Sequence, residues 1–245
     1  MTEAAANAAG GERLTKFLAS AGIASRRAAG ELVKAGLVAV NGEIEREPGR
    51  RIRPGDTVVC GGKPVHPAET PRYVMLHKPR GYVCTHSDRH AERKAVDLID
   101  LPERLFSAGR LDKESEGLIL FSNDGAFVER LTHPRYGILK RYRVRTARDL
   151  DAEAMERIRS GVSDGGETLR VHSVRRLAPY EYEFVLNEGK KREIRRITAA
   201  CGAPTLRLKR VQIGALKLGM LKPGEWRELT PEEREAALTP EVPDE

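Results

Sequence analysis

A chain of 245 residues, 40% hydrophobic and 32% charged, can bury one sizeable core and support a small second module. It has no apolar run near the roughly 20 residues of a membrane helix, so no bilayer-spanning role is expected. Lys and Arg number 43 against 36 Asp and Glu, a net charge of +7, but residues 225–245 hold eight acids and two bases, leaving 41 bases and 28 acids before them. A body that basic suits a polyanion, with a merely well-solvated surface as the plainer alternative.

Residues 1–11 carry neither a basic n-region nor a long apolar run, so a disordered tail on a cytoplasmic protein is expected. Leu14, Phe17 and Leu18 make the stripe of a short helix that Gly22 ends. Ser25 caps a second helix, running to Gly36, with Arg26 and Arg27 in its first turn. The helix dipole disfavours cations there, which points to phosphate contact. A hairpin follows, LVAVNGEI, turning on Asn41 and Gly42, then a strand pair around Gly61 and Gly62. This first domain spans 12–67 and ends in a proline-bounded linker.

The second domain is expected over 72–230 and an acidic tail over 231–245. Its first strand covers 73–76, and Lys78, Pro79, Arg80 and Gly81 read as a turn whose two cations suit phosphate. His77, His86 and His90 fit an exposed loop better than a metal site, given Asp88 and the nearby arginines. Residues 118–121 read as a strand buried on both faces, closed by the turn 122–125. A helix is expected near 126–131, a strand over 139–146 and a helix over 151–160. Strands follow near 168–177 and 182–186, then a helix over 190–201 and a strand over 206–213. Helices and strands do not alternate as in doubly wound folds, so the fold class is α+β, with a mixed, largely antiparallel sheet flanked by helices.

Asp112 lies in the segment GRLDKESEGLILFSNDG, in a polar loop before the buried run, where Gly117 permits close approach. In the 139–146 strand Arg141, Arg143 and Arg145 share one face and Lys140, Tyr142 and Val144 the other. The arginines face solvent or RNA backbone. Tyr142 is either an ordinary core tyrosine or part of a pocket, and Lys140, if buried, requires an acidic neighbour. In KKREIRRITAAC, Ile194, Ile197 and Cys201 form the buried stripe and Arg192 and Arg196 point away. Arg195 sits at the margin, where it can pair with Asp112; alternatively Lys190, Lys191 and the arginines form one solvated or RNA-binding face. The chain lacks a phosphate loop, a dinucleotide glycine fingerprint, a metal-ligand cluster and a paired nucleophile and histidine. Cys60, Cys84 and Cys201 read as reduced structural thiols.

The stretch RLTKFLASAGIASRRAAGELVKAGLVAVNG resembles the small RNA-binding domain of ribosomal protein S4. That resemblance implies RNA contacts by Lys16, Ser25, Arg26, Arg27 and Lys34. GRLDKESEGLILFSNDG, KRYRV and KKREIRRI together resemble the three motifs of RsuA/RluB-type ribosomal RNA pseudouridine synthases. Ser115 stands where that family usually has threonine, and Glu193 where it usually has glutamine. The resemblance implies isomerisation of a uridine in ribosomal RNA, or in a precursor ribosomal subunit, without a cofactor. It implies Asp112 as the essential carboxylate and Tyr142 stacked on a flipped base. Arg195 would pair with Asp112, Lys140 would tune the pocket, and Arg110 would fill the space left in the RNA. Lys78, Arg80, Arg141, Arg143, Lys191, Arg192 and Arg196 are the further cations expected on RNA. A monomer is expected.

Overall fold

The computed structural model describes residues 11–66, 70–84 and 93–240. The chain falls into two compact units, Met1–Pro71 with Pro102–Arg104, and Arg72–Leu101 with Leu105–Glu245. The expected His86, His90 and Asp88 loop, most of the N-terminal tail and part of the linker lie outside the described residues.

In the first unit, β1 (Glu12–Arg13) leads into α1 (Leu14–Ser20) and α2 (Arg26–Lys34). The Ser25 hydroxyl accepts from the Ala28 N–H at 3.2 Å, as its capping position predicts. β2 (Val38–Val40) and β3 (Glu43–Glu45) form the hairpin, with Asn41 and Gly42 at φ of 53° and 87°, the left-handed pair that such a two-residue turn requires. β4 (Arg51–Ile52) pairs with β1, and β5 (Val58–Cys60) and β6 (Lys63–Val65) complete a sheet of order β3-β2-β5-β6. Leu14, Leu18, Ala29, Val33, Val38 and Val58 close this small core.

The second unit is built on one nine-stranded sheet. Its strands are β7 (Tyr73–Lys78), β8 (Phe106–Ala108), β9 (Glu116–Ser122), β10 (Lys140–Thr146), β13 (Ser173–Ala178), β14 (Glu181–Leu186), β15 (Thr205–Ile213), β16 (Leu216–Lys217) and β17 (Trp226–Glu228). β11 (Val162–Asp164) and β12 (Glu167–Leu169) make a separate hairpin. The path is β13-β14-β10-β15-β9-β7-β17, antiparallel except where β15 runs parallel to β9. The helices are α3 (Gly125–Thr132), α4 (Ala152–Ser160), α5 (Glu193–Ala200) and α6 (Pro231–Leu238).

β9 is buried along its whole length. Ile119 and Phe121 pack on one face with Ile158 of α4 and Ile194 and Ile197 of α5. Leu118 and Leu120 pack on the other with Phe127 and Leu131 of α3 and Ala237 of α6. Each such side chain contributes about 1.5–3 kcal/mol, which fixes β9 and the loop entering it.

Two expectations need correction. The acidic segment from 231 is not simply a tail, because residues 231–238 form a helix with a Thr230–Glu233 capping box and a buried Ala237. The helix expected from 190 begins at Glu193, because Arg192 adopts a left-handed backbone, φ 54°, ahead of its first turn.

Candidate active site

Asp112 sits in the loop between β8 and β9, half-buried, on a cavity of about 540 Å³. Consecutive carbonyls of this loop are held from three places. Gly81 N–H donates to Lys113 O at 2.8 Å, Arg195 Nη2 to Glu114 O at 3.1 Å, and Lys78 Nζ to Ser115 O at 2.7 Å. The Ser115 N–H closes a turn back on Asp112 O at 3.0 Å. Gly117 follows at φ 110°, and a Cβ there would lie 2.2 Å from Arg210 O of β15, so glycine is required where the parallel strands meet.

Tyr142 lines the same cavity, 9% exposed, as do Arg110, Lys191, Arg192 and Glu193. Asp112 and Tyr142 therefore meet at one cavity, delivered by the mouth of β9 and by β10, its neighbour but one in the sheet. Among the described residues no cation lies within ion-pairing distance of the Asp112 carboxylate. The bidentate Arg195–Asp112 pair is not formed. Arg195 grips the loop backbone instead, with Nη1 on Thr205 O at 3.3 Å.

Several cations differ from expectation. Lys78 is not on a turn: it ends β7 fully buried, its Nζ also donating to Pro79 O at 2.9 Å, and so is not a surface contact. His77, expected in an exposed loop, is buried in β7 with Nδ1 2.7 Å from Leu221 O. Among the described residues Lys140 has no acid within ion-pairing distance; its Nζ donates to Ile138 O at 2.7 Å. Arg141 is largely buried and bound to Glu183 at 2.7 Å. Arg196 is held by Asp164 and Glu167 on the β11–β12 hairpin. Neither arginine is free to take a phosphate without breaking a pair.

Arg143, Lys191 and Arg192 are exposed, and Arg80 makes an exposed contact with Glu114 at 3.4 Å. In the first unit Arg26 and Arg27 are exposed, while Lys16 and Lys34 make exposed pairs with Glu12 and Glu31. Such pairs contribute at most about 1 kcal/mol and yield readily to a phosphate.

Burial pulls the Lys78 ammonium down to about 8, opposed by Cys84, Asp112 and Glu114 nearby. Burial lowers Arg195 from its usual range, Arg192 adding to the shift and Asp112 opposing it. Glu193, 4% exposed, is pushed up by burial to about 7, with Glu188 contributing and the Lys190 N–H opposing. Its Oε2 accepts that N–H at 3.0 Å, and among the described residues its Oε1 has no hydrogen-bond partner. Sequence reading passed over one member of this region, Arg210, and misplaced another, Lys78, on a turn. Arg210, 4% exposed, was discoverable, because Leu208, Arg210 and Gln212 alternate onto one face of β15. Lys78 carried no such signal.

Among the described residues no group of three His, Cys, Asp or Glu side chains is placed to hold a metal ion. Among the described residues no helix is long and apolar enough to cross a membrane.

Residues 72–200 match the RNA pseudouridylate synthase family, and residues 12–58 match the S4 domain. The chain belongs to the RNA pseudouridylate synthase family. An uncharacterised RNA pseudouridine synthase of Aquifex aeolicus is 39% identical over 89% of this chain and 90% of its own length. Ribosomal large subunit pseudouridine synthase B of Bacillus subtilis is 34% identical, covering 91% and 93%. Ribosomal small subunit pseudouridine synthase A of Vibrio parahaemolyticus is 36% identical, covering 90% and 97%. A crystal structure of a pseudouridylate synthase matches with a TM-score of 0.69 at 30% identity, over 92% of this chain and 99% of that one. The chain is thus an RNA pseudouridine synthase, an isomerase, with an S4 domain at its N-terminal end.

Proposed function

We propose that this pseudouridine synthase acts on a specific uridine of ribosomal RNA, with Asp112 as its essential carboxylate. The observation that carries the reading is Asp112 and Tyr142 lining one cavity rimmed by Arg110, Lys191 and Arg192. Relatives named for both ribosomal subunits support ribosomal RNA as the substrate class.

The target uridine leaves the RNA stack and enters the cavity, at a cost of a few kcal/mol for unstacking. Arg110, exposed at the rim, fills the space it leaves. Tyr142 supplies the aromatic surface for the uracil. Asp112 assists cleavage of the bond from N1 to ribose C1′, by attack or by removal of a ribose proton. The base turns, C5 bonds to C1′, the C5 proton passes to solvent through a base in the pocket, and N1 is left protonated. The product is an isomer, so the reaction needs no net oxidant, reductant or group donor. Lys78 and Arg195 act earlier, by fixing the carbonyls of the loop that presents Asp112. The S4 domain, through Arg26, Arg27, Lys16 and Lys34, adds backbone contacts that position RNA without reading bases.

The test is nucleotide-resolved pseudouridine mapping of ribosomal RNA from cells with the gene, without it, and with only Asp112→Ala. One uridine is expected to lose the modification in the second and third strains. If no ribosomal site changes, or if Asp112→Ala restores the modification, the reading fails.

A further inference from the structure

Tyr142 also lines a second cavity, of about 200 Å³, whose charged lining is mainly cationic. Lys140, Arg210 and the shared Arg110 face it, against one carboxylate, Glu188, which Lys190 holds at 3.3 Å. β10–β15 pairing sets Tyr142 opposite Arg210, after a register shift between Arg141 and Tyr142, and Arg210 lies opposite Gly117 on β9. Arg210 is therefore fixed in the middle of the sheet, with its Nε donating to Leu118 O at 2.7 Å and its buried Nη2 without a partner among the described residues. Among the described residues no acid comes within ion-pairing distance of Arg210 or Lys140.

Buried cations without counter-charges are costly, and the fold has not relieved the cost with a carboxylate. The Lys140 ammonium shows the strain, pulled down by burial and by Arg210 to about 8. An anion entering the cavity would supply the missing charge. The cavity shares Arg110, Tyr142, Glu188 and Gly189 with the larger one that holds Asp112, so a strand placed in one reaches the other.

We propose that Lys140 and Arg210 form a phosphate subsite that takes a backbone phosphodiester of the RNA strand next to the nucleotide in the Asp112 cavity. This rests on the reading of that cavity as the uridine site. Charge-assisted contacts to two fixed cations place the sugar-phosphate backbone, and with it the ribose, against Asp112. The second cavity thus serves positioning rather than base readout.

The test acylates the full-length protein with an amine-reactive reagent near pH 8 and follows Lys140 by peptide mass spectrometry. A short oligouridylate, its uncharged methylphosphonate analogue and inorganic phosphate are compared at matched ionic strength. The oligouridylate is expected to slow Lys140 acylation about fivefold or more while the neutral analogue leaves it nearly unchanged. Equal protection by the neutral analogue overturns the proposal. So does protection by inorganic phosphate alone, which marks a free-anion site, or no protection at any oligomer concentration. Lys140→Gln is expected to weaken oligouridylate binding about tenfold and Lys140→Arg to restore most of it; equal loss in both overturns the charge argument. Pseudouridine formation in substrate RNA, read in parallel, separates the two claims. Protection without isomerisation rejects the functional reading alone, and isomerisation without protection rejects the subsite alone.

Discussion

The Lys78 ammonium, at the buried end of β7, donates to the Ser115 carbonyl at 2.7 Å and so ties one strand to the loop that carries Asp112. A cation spent on backbone carbonyls inside a core is expensive, and what it secures here is the path of four residues. Lys78→Met keeps the volume and removes the donor. It is expected to lower kcat by about tenfold or more, with a smaller change in KM, because orientation rather than affinity is lost. Steady-state kinetics on substrate RNA, with hydrogen exchange at residues 112–115, checks this; unchanged kcat rejects the clamp.

Arg195 spans Glu114 O and Thr205 O with two nitrogens of one planar group. A lysine offers a single head and cannot bridge both. Arg195→Lys is therefore expected to lose roughly as much single-turnover rate as Arg195→Met, on the order of a hundredfold. Near-full activity in the lysine variant would mean that charge near Asp112 matters and the bridge does not.

Glu193 gives a pH signature. Its folded pKa of about 7 stands above the ordinary 4.5, so the folded protein favours the protonated form. The stability this confers is full below about pH 4.5, declines as pH rises, and is gone above about pH 7. Glu193→Gln cannot ionise. The difference in unfolding free energy between variant and wild type is expected to grow in the variant's favour from pH 4.5 to 7, by about 3 kcal/mol at most. Urea titrations across that range measure it, and a flat difference rejects the buried-acid account.

Gly117→Ala is expected to destabilise by more than about 3 kcal/mol or to prevent folding, since the added carbon meets Arg210 backbone rather than a movable side chain. Gly125→Ala, where a Cβ meets nothing within 4 Å, is the matched control. Thermal melts of the two variants decide it.

In the first unit, Arg26→Gln with Arg27→Gln removes two exposed cations without disturbing the Ser25 cap. Weaker RNA binding is expected, with a salt slope shallower by about 1–2 units in log K against log salt. An unchanged slope removes both residues from the RNA contact.

Local rules made much of this molecule readable in its sequence. The Ser25 cap, the Asn41–Gly42 turn, the doubly buried β9 and the alternation placing Tyr142 inward each depend on near neighbours. Pairings across long stretches of chain were not readable. Arg141 meets Glu183 and Arg196 meets Asp164 through strand order and hairpin placement, which residue spacing does not encode. Lys78 is the sharpest case. HKPRG reads as a polar turn, and only the docking of β7 on β9 turns its lysine into a buried clamp. Asp112 stood out because its loop chemistry and the following strand are contiguous. Its relation to Arg195 was misjudged because a guanidinium satisfied by carbonyls looks the same in sequence as one paired with a carboxylate.

The donors to residues 113–115 come from chain positions 78, 81 and 195, so no fragment shorter than residues 78–195 contains the loop's supports. Assembly of the active site and closure of the sheet are then one event. During refolding, catalytic activity should return with α5 docking and lag any early β7–β9 pairing, which makes turnover itself a late-stage reporter of folding.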